Sequence, residues 1–168
     1  MKREIHVFFT ALMFYTRIPC PKWVDHDPEF LNQSIRYFPL IGWIVGIISG
    51  LFLYLPGTYF SIPVAIILSL IISVLITGAF HEDGFADTCD AFGGGWTKKK
   101  ILEIMKDSRL GTYGVIGLLL LISLKIVLLY EFTNVTQFNI LTTLLYFVSA
   151  HSISRFVASA FVFSHEYA

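Results

Sequence analysis

The ten residues His81-Glu82-Asp83-Gly84-Phe85-Ala86-Asp87-Thr88-Cys89-Asp90 put five acidic or imidazole groups directly after a nearly uncharged apolar run. Carried on a helix, Asp83, Asp87 and Asp90 fall at i, i+4 and i+7, within roughly 60° of one another on one face. Carboxylates crowded in this way repel, raise one another's pKa, and are tolerated mainly around a cation. An oxygen-only donor set favours Mg2+, Mn2+ or Ca2+. One His and one Cys among carboxylates do not make the usual zinc set. An acidic metal site at a membrane surface points to diphosphate chemistry. His81 is open to three readings: a base, a metal ligand or an interfacial histidine.

A second cluster follows. Gly93, Gly94 and Gly95 stop a helix and let backbone amides approach a phosphate closely, although a flexible turn explains them as well. Thr97 is placed to cap a short amphipathic helix holding Ile101, Ile104 and Met105. Lys98, Lys99 and Lys100 lie in its first turn, as a solvated cluster attracted to anionic lipid. Then come Lys106-Asp107-Ser108-Arg109. The Lys and Arg are suited to phosphate as point charge and fork, and Asp107 could join a metal shell. The bland alternative makes Lys106 and Arg109 markers of a span's end.

The elements that position these clusters are membrane helices. Of 168 residues, 55% are apolar and only 14% charged, with a mean hydropathy of +0.70. Apolar blocks at residues 40–60, 62–80, 113–130 and 138–163 are each long enough to span a bilayer. The fourth carries His151 and Arg155. Residues 5–15 are apolar but too short to cross, and they lack a signal-peptide cleavage site. They read as an interfacial or re-entrant helix. The expected fold is therefore all-α: one polytopic membrane bundle over 1–168, with about four spans and a loop at 81–112 carrying the chemistry. Ten of the twelve basic residues precede residue 40 or lie in 81–112. The positive-inside rule thus puts the N-terminus and that loop in the cytoplasm. Nothing resembles a nucleic-acid stripe, and Cys20 and Cys89 form neither a CxxC pair nor a disulfide framework. Lys125 is expected to snorkel at the outer end of its span. Arg155, one turn from His151, is expected to face the bundle interior and favours phosphate binding. Gly42, Gly46 and Gly50, at every fourth position, suggest close helix packing.

These residues carry a resemblance. The string Thr77-Gly78-Ala79-Phe80-His81-Glu82-Asp83-Gly84-Phe85-Ala86-Asp87-Thr88-Cys89-Asp90-Ala91-Phe92-Gly93-Gly94 resembles the signature of the cobalamin synthase (adenosylcobinamide-GDP ribazoletransferase) family. The stretch from Glu103 to Gly114 is similar to that family's other hallmark, and Thr16-Arg17-Ile18-Pro19 and Tyr37-Phe38-Pro39-Leu40-Ile41-Gly42 match upstream segments in order. Ala79 stands where a second glycine is common, Glu82 where an apolar residue is usual, and Cys89 where a small one is usual. Family members extend further, which implies a chain lacking a C-terminal part. The resemblance implies a Mg2+-dependent transferase in a bacterial or archaeal inner membrane. It would join adenosylcobinamide-GDP to α-ribazole, or its 5′-phosphate, with release of GMP. On that basis Asp83, Asp87 and Asp90 hold Mg2+, with Glu82 and Asp107 as further ligands. Lys106, Ser108, Arg109, Arg155 and the backbone at Gly93 and Gly94 bind substrate. His81, or one of the carboxylates such as Asp83 or Asp87, takes the hydroxyl proton.

Three rivals stand beside this reading. CDP-alcohol phosphotransferases also use a carboxylate-rich Asp-Gly motif, but they want an Arg after Ala86 and later-spaced aspartates. A transporter would want more ionisable residues within the spans. An inactive fragment is the third. Spare apolar faces leave room for association with copies or with pathway partners.

Overall fold

The structure is a computed structural model that describes residues 2–24, 27–136 and 138–164. Among these residues it is wholly helical, as the apolar blocks and their polar punctuation require. Helix α1 spans Lys2–Tyr15 and α2 spans Pro28–Ser34; a 3₁₀ turn at Ile35–Tyr37 then leads into α3, Phe38–Gly57. Helices α4 (Ile62–Thr77), α5 (Phe80–Gly94) and α6 (Lys98–Met105) follow, and α7 (Thr112–Val135) and α8 (Ile140–Ser164) complete the order. Three helical stretches are long and apolar enough to cross a bilayer: Pro28–Gly57, Thr112–Val135 and Ile140–Ser164. The chain therefore has the helices of a multi-pass membrane protein.

The core is a pair of antiparallel helices, α3 and α8, brought close by the glycines of α3. A Cβ built at Gly42 would lie 2.6 Å from the His151 carbonyl oxygen, and one at Gly46 would lie 2.8 Å from that of Phe147. No larger residue fits without parting the helices. In a bilayer, where lipid is as apolar as the helix surface, this close approach is what drives association. Ser152 Oγ adds a hydrogen bond to the Pro39 carbonyl at 3.3 Å. Helix α4 packs on the other flank of α3, where Ser69 Oγ donates to the Ser49 carbonyl at 2.7 Å. Val7, Ala11 and Leu12 are buried in α1, and Ala11 and Leu12 pack with Ile41, Val45 and Ile76. Helix α1 is thus docked on one end of the bundle. Most of α7 remains exposed, including Leu119, Leu120, Leu124 and Leu128, a surface suited to lipid chains.

The structure alters one expected boundary. The block at 62–80 is not a single span: α4 ends at Thr77, and the chain turns by 88° into α5. Two successive left-handed residues make the turn, Gly78 at φ 65° and Ala79 at φ 60°. Glycine adopts that conformation freely, whereas an L side chain crowds its own carbonyl there. Ala79 therefore carries strain that a glycine would not. The expected loop at 81–112 is, for its first half, a helix laid along the amino-terminal half of α7.

Replacing Ala79 with glycine should stabilise the protein by about 1 kcal/mol, because relief at positive φ outweighs the entropy glycine loses. Chemical unfolding in detergent measures this, and unchanged stability would mean the turn is not strained.

Candidate functional site

The acidic motif folds as a helix because its residues alternate between two jobs. One face of α5 is built from small or thin side chains that let α7 approach. A Cβ at Gly117 would meet Cys89 Sγ at 2.6 Å, and one at Gly114 would come within 3.1 Å of the Ala86 carbonyl. The ring of Tyr113 lies directly over Gly93. So Gly93, expected from its sequence context to cradle a phosphate, is covered by an aromatic ring, while Gly94 is exposed.

Asp90 stands at the edge of this contact. Its two carboxylate oxygens accept hydrogen bonds from the backbone N–H groups of Gly111 at 2.7 Å and Gly114 at 2.8 Å. These are donors of the first turn of α7, which have no partner within their own helix. A carboxylate at a helix amino end is also favoured by the dipole. Asp90 thereby ties the acidic motif to the end of the second motif, Leu110-Gly111-Thr112-Tyr113-Gly114.

Asp83 and Asp87 behave differently. Neither accepts a hydrogen bond or forms an ion pair among the described residues; Asp83 is exposed and Asp87 half-buried. Partial burial, then the charges of Asp83 and Asp90, raise the Asp87 carboxyl above its ordinary value. Glu82 turns the other way. Its Oε1 meets Lys125 Nζ at 3.5 Å, and its Oε2 is buried without a partner. Lys125 consequently does not snorkel to the outer end of its span; it lies near the middle of α7 and turns toward α5. Asp107 is held by Arg109, whose Nε lies 3.0 Å from both carboxylate oxygens and whose Nη2 lies 2.6 Å from Oδ2. That grip brings the Asp107 carboxyl down to about 2. Lys106 ends α6, where its backbone N–H donates to the Glu103 carbonyl and that of Asp107 to the Ile104 carbonyl. Lys106 and Ser108 are both exposed. Thr97 caps α6 as its sequence suggests, accepting from the Lys100 N–H at 3.3 Å.

Among the described residues, no three His, Cys, Asp or Glu side chains converge on one point. The carboxylates do not form a closed cage for an ion. Mg2+ rarely needs one, since it keeps several waters and takes one or two carboxylates beside substrate phosphates. The uncommitted pair Asp83 and Asp87 fits that mode of binding.

A second centre lies two residues before Asp83. Arg155 is only 4% exposed, as its depth in α8 implied. Its Nη2 lies 3.1 Å from His81 Nε2, its Nη1 lies 3.1 Å from His151 Nδ1, and the guanidinium sits 5.6 Å over the Phe38 ring. Guanidinium only donates, so both imidazole nitrogens must accept. His81 therefore spends its Nε2 lone pair on Arg155, and Nδ1 carries the ring hydrogen, so His81 has no free lone pair for a proton in this arrangement. Arg155 Nε is buried without a partner. Arg155 Nη1 also donates to the His151 carbonyl at 3.0 Å, so the buried cation has three neutral acceptors and no carboxylate bonded to it, an arrangement that an anion would complete.

Sequence reasoning passed over one feature at the same end of the bundle. A cavity of about 550 Å3 opens between α1, α2 and the α4–α5 turn, lined in part by Phe14, Arg17, Thr77, Gly78 and Phe80. The motif residues Thr16-Arg17 and Thr77-Gly78 were the available signal, but their meeting is a matter of tertiary structure.

Comparison with known proteins places these features. A family described as cobalamin-5-phosphate synthase matches residues 7–168. An adenosylcobinamide-GDP ribazoletransferase of Shewanella frigidimarina is 46% identical over 165 residues, covering 98% of this chain and 62% of that protein. Its counterpart in Shewanella pealeana is 47% identical over 166 residues, covering 99% of this chain and 63% of its own length. The chain thus spans less than two thirds of the curated relatives it matches. No solved structure matches it.

Asp90→Ala should lower stability by about 0.5–2 kcal/mol, the range for loss of a helix cap, whether or not a divalent cation is present. Urea unfolding with and without Mg2+ measures this. A loss that appears only with the cation would make Asp90 a ligand rather than a cap.

Proposed function

Because the chain belongs to the cobalamin-5-phosphate synthase family, we propose that it carries the active-site part of a membrane transferase acting on adenosylcobinamide-GDP. A ribose hydroxyl of α-ribazole, one that remains free also in its 5′-phosphate, attacks the cobinamide-side phosphorus. The new P–O bond replaces the bond to GMP, which leaves with the electron pair, and the hydroxyl proton passes to a base. The observation that carries the reading is the juxtaposition on one helix. Two uncommitted carboxylates, Asp83 and Asp87, follow directly after His81, which is bonded to a buried guanidinium that lacks an anion.

Phosphoryl transfer of this kind is catalysed chiefly by positioning and charge neutralisation. Asp83 and Asp87 would hold Mg2+, which supplies positive charge to the diphosphate oxygens when bound. Arg155 contributes a fixed, dehydrated cation for the same oxygens, with Nε as its unspent donor. Lys106 and the outer edge of Arg109 offer further charge from the segment that Asp90 fastens to α5. Asp107 shares its charge with Arg109, so its part is to orient that side chain. With Nε2 accepting from Arg155 and Nδ1 carrying the ring hydrogen, His81 takes the hydroxyl proton only once Arg155 turns from Nε2 to the substrate phosphate. Otherwise one of the two free carboxylates accepts it.

The orientation follows the basic residues: the amino-terminal end and the α5–α6 segment face the cytoplasm of the producing cell, across its inner membrane. In a chain with Cys20 and Cys89 replaced by alanine, Lys99→Cys should react with an impermeant maleimide only in inverted vesicles. Thr58→Cys should react only in right-side-out ones. The reverse pattern would invert the topology.

Asp83→Asn and Asp87→Asn should each lower Mg2+-dependent GMP release in liposomes by at least about 100-fold, the scale of losing one transition-state charge contact, with membrane insertion unchanged. Both variants turning over at the wild-type rate would remove the metal assignment.

A further inference from the structure

The cavity beside α1 carries a role that none of the residues above fills. We propose that it is the subsite for the nucleotide half of the donor, with Arg17 holding a phosphate and Phe14 and Phe80 walling the base. This rests on the transferase reading and names where its nucleoside diphosphate portion lies. The volume, about 550 Å3, falls within the roughly 300–1,000 Å3 typical of small-molecule sites.

Arg17 is fixed at its backbone and unspent at its side chain. Its N–H donates to the Ile76 carbonyl at 2.6 Å, near the last turn of α4. The side chain lies across Gly78, in the space where a Cβ would stand, so it runs along the cavity wall while the residue stays exposed to solvent. Among the described residues its guanidinium makes no hydrogen bond and no ion pair. The acidic residue on the same wall, Asp27, caps α2 by accepting from the Glu29 N–H at 2.8 Å and does not pair with Arg17. A guanidinium with unspent donors on an anchored backbone, in a cavity large enough for a ligand, is suited to an anion that offers two oxygens to its fork, as phosphate does.

Part of the lining is aromatic. Phe14 and Phe80 meet edge to face with centroids 6.2 Å apart, and Met13 lies beside them. Flat apolar walls of this kind accept a nucleobase whatever its hydrogen-bond pattern. Phe80 also links the cavity to the carboxylates. On α5, Phe80, Asp83 and Asp87 share one face within roughly 60°, and Asp83 stands only about 4.5 Å further along the axis. A diphosphate held at Arg17 therefore leads along α5 toward Asp83, with the base behind it against Phe80.

The test uses the 168-residue chain in nanodiscs and guanosine 5′-diphosphate as probe, with EDTA present so that the carboxylates contribute no metal. Wild type should bind GDP, Arg17→Gln should bind at least tenfold more weakly, and Arg17→Lys should recover part of the loss. Phe14→Ala should weaken GDP binding but leave inorganic pyrophosphate competition unchanged. Arg17→Gln keeps the backbone bond to Ile76, and an unchanged thermal midpoint without ligand verifies the fold. An azido-GDP photoprobe should label peptides containing residues 10–17 or 77–80. Equal GDP affinity in wild type and Arg17→Gln, no GDP binding by wild type, or labelling confined to residues 98–109 would each overturn the subsite. Assaying transfer from adenosylcobinamide-GDP in parallel separates the two claims. Arg17-dependent GDP binding without transfer would keep the subsite and remove the transferase reading. Full transfer by Arg17→Gln would do the opposite.

Discussion

The Asp90 carboxylate, bonded to the amino end of α7, is the interaction on which the arrangement of the site depends. Two polar motifs some twenty residues apart could lie anywhere along the membrane surface. By accepting from both Gly111 and Gly114 N–H groups, Asp90 fastens the end of the second motif to the last turns of the first. A carboxylate satisfies donors that α7 cannot satisfy itself, and the helix dipole favours its charge. The contact is possible only because Gly111 and Gly114 leave room for the carboxylate. The consequence is a division of labour among acids of similar appearance: Asp90 builds, Asp107 orients Arg109, Glu82 pairs with Lys125, and Asp83 and Asp87 remain uncommitted.

A second constraint acts through the core. Gly42 and Gly46 let α8 press against α3 backbone to backbone, and this register brings Arg155 over Phe38 and against His81. A guanidinium so enclosed loses most of its hydration. Two imidazoles and the His151 carbonyl recover part of that loss as acceptors, but none brings a negative charge. The bundle thus holds a cation to which no carboxylate is directly bonded, one helical step from the free acids of α5. The site's character comes from this pairing of unbalanced charge with uncommitted ligands.

The turn at Gly78 and Ala79 joins the two. Its pair of left-handed residues swings α5 away from the line of α4, so the acidic helix lies against α7 instead of continuing α4. The same turn opens the space that Arg17 enters. Ala79 keeps a geometry that glycine would adopt freely and accepts the strain.

Much of this was legible in the residues alone. Long apolar blocks can only be membrane helices, because a chain in lipid must satisfy its backbone internally. The glycine repeat of α3 announced close packing, Thr97 announced a cap, and the spacing of Asp83, Asp87 and Asp90 announced a shared helix face. The burial of Arg155 followed from the cost of a charge in the bilayer. What local pattern could not tell was which partner each polar group would find. Nothing near Asp90 says that it caps a helix beginning twenty-one residues later, nor does anything near Lys125 name Glu82. His81 reads as a free base until α8 brings Arg155 to its Nε2. Arg17 and Gly78 read as parts of separate motifs until α1 docks beside the end of α4. Propensity, periodicity and hydropathy are properties of neighbours in sequence and so were fixed by the chain itself. The choice between ligand, cap and ion pair is made by residues distant in sequence, and only the packing of α5 against α7 and of α8 against α3 decided it.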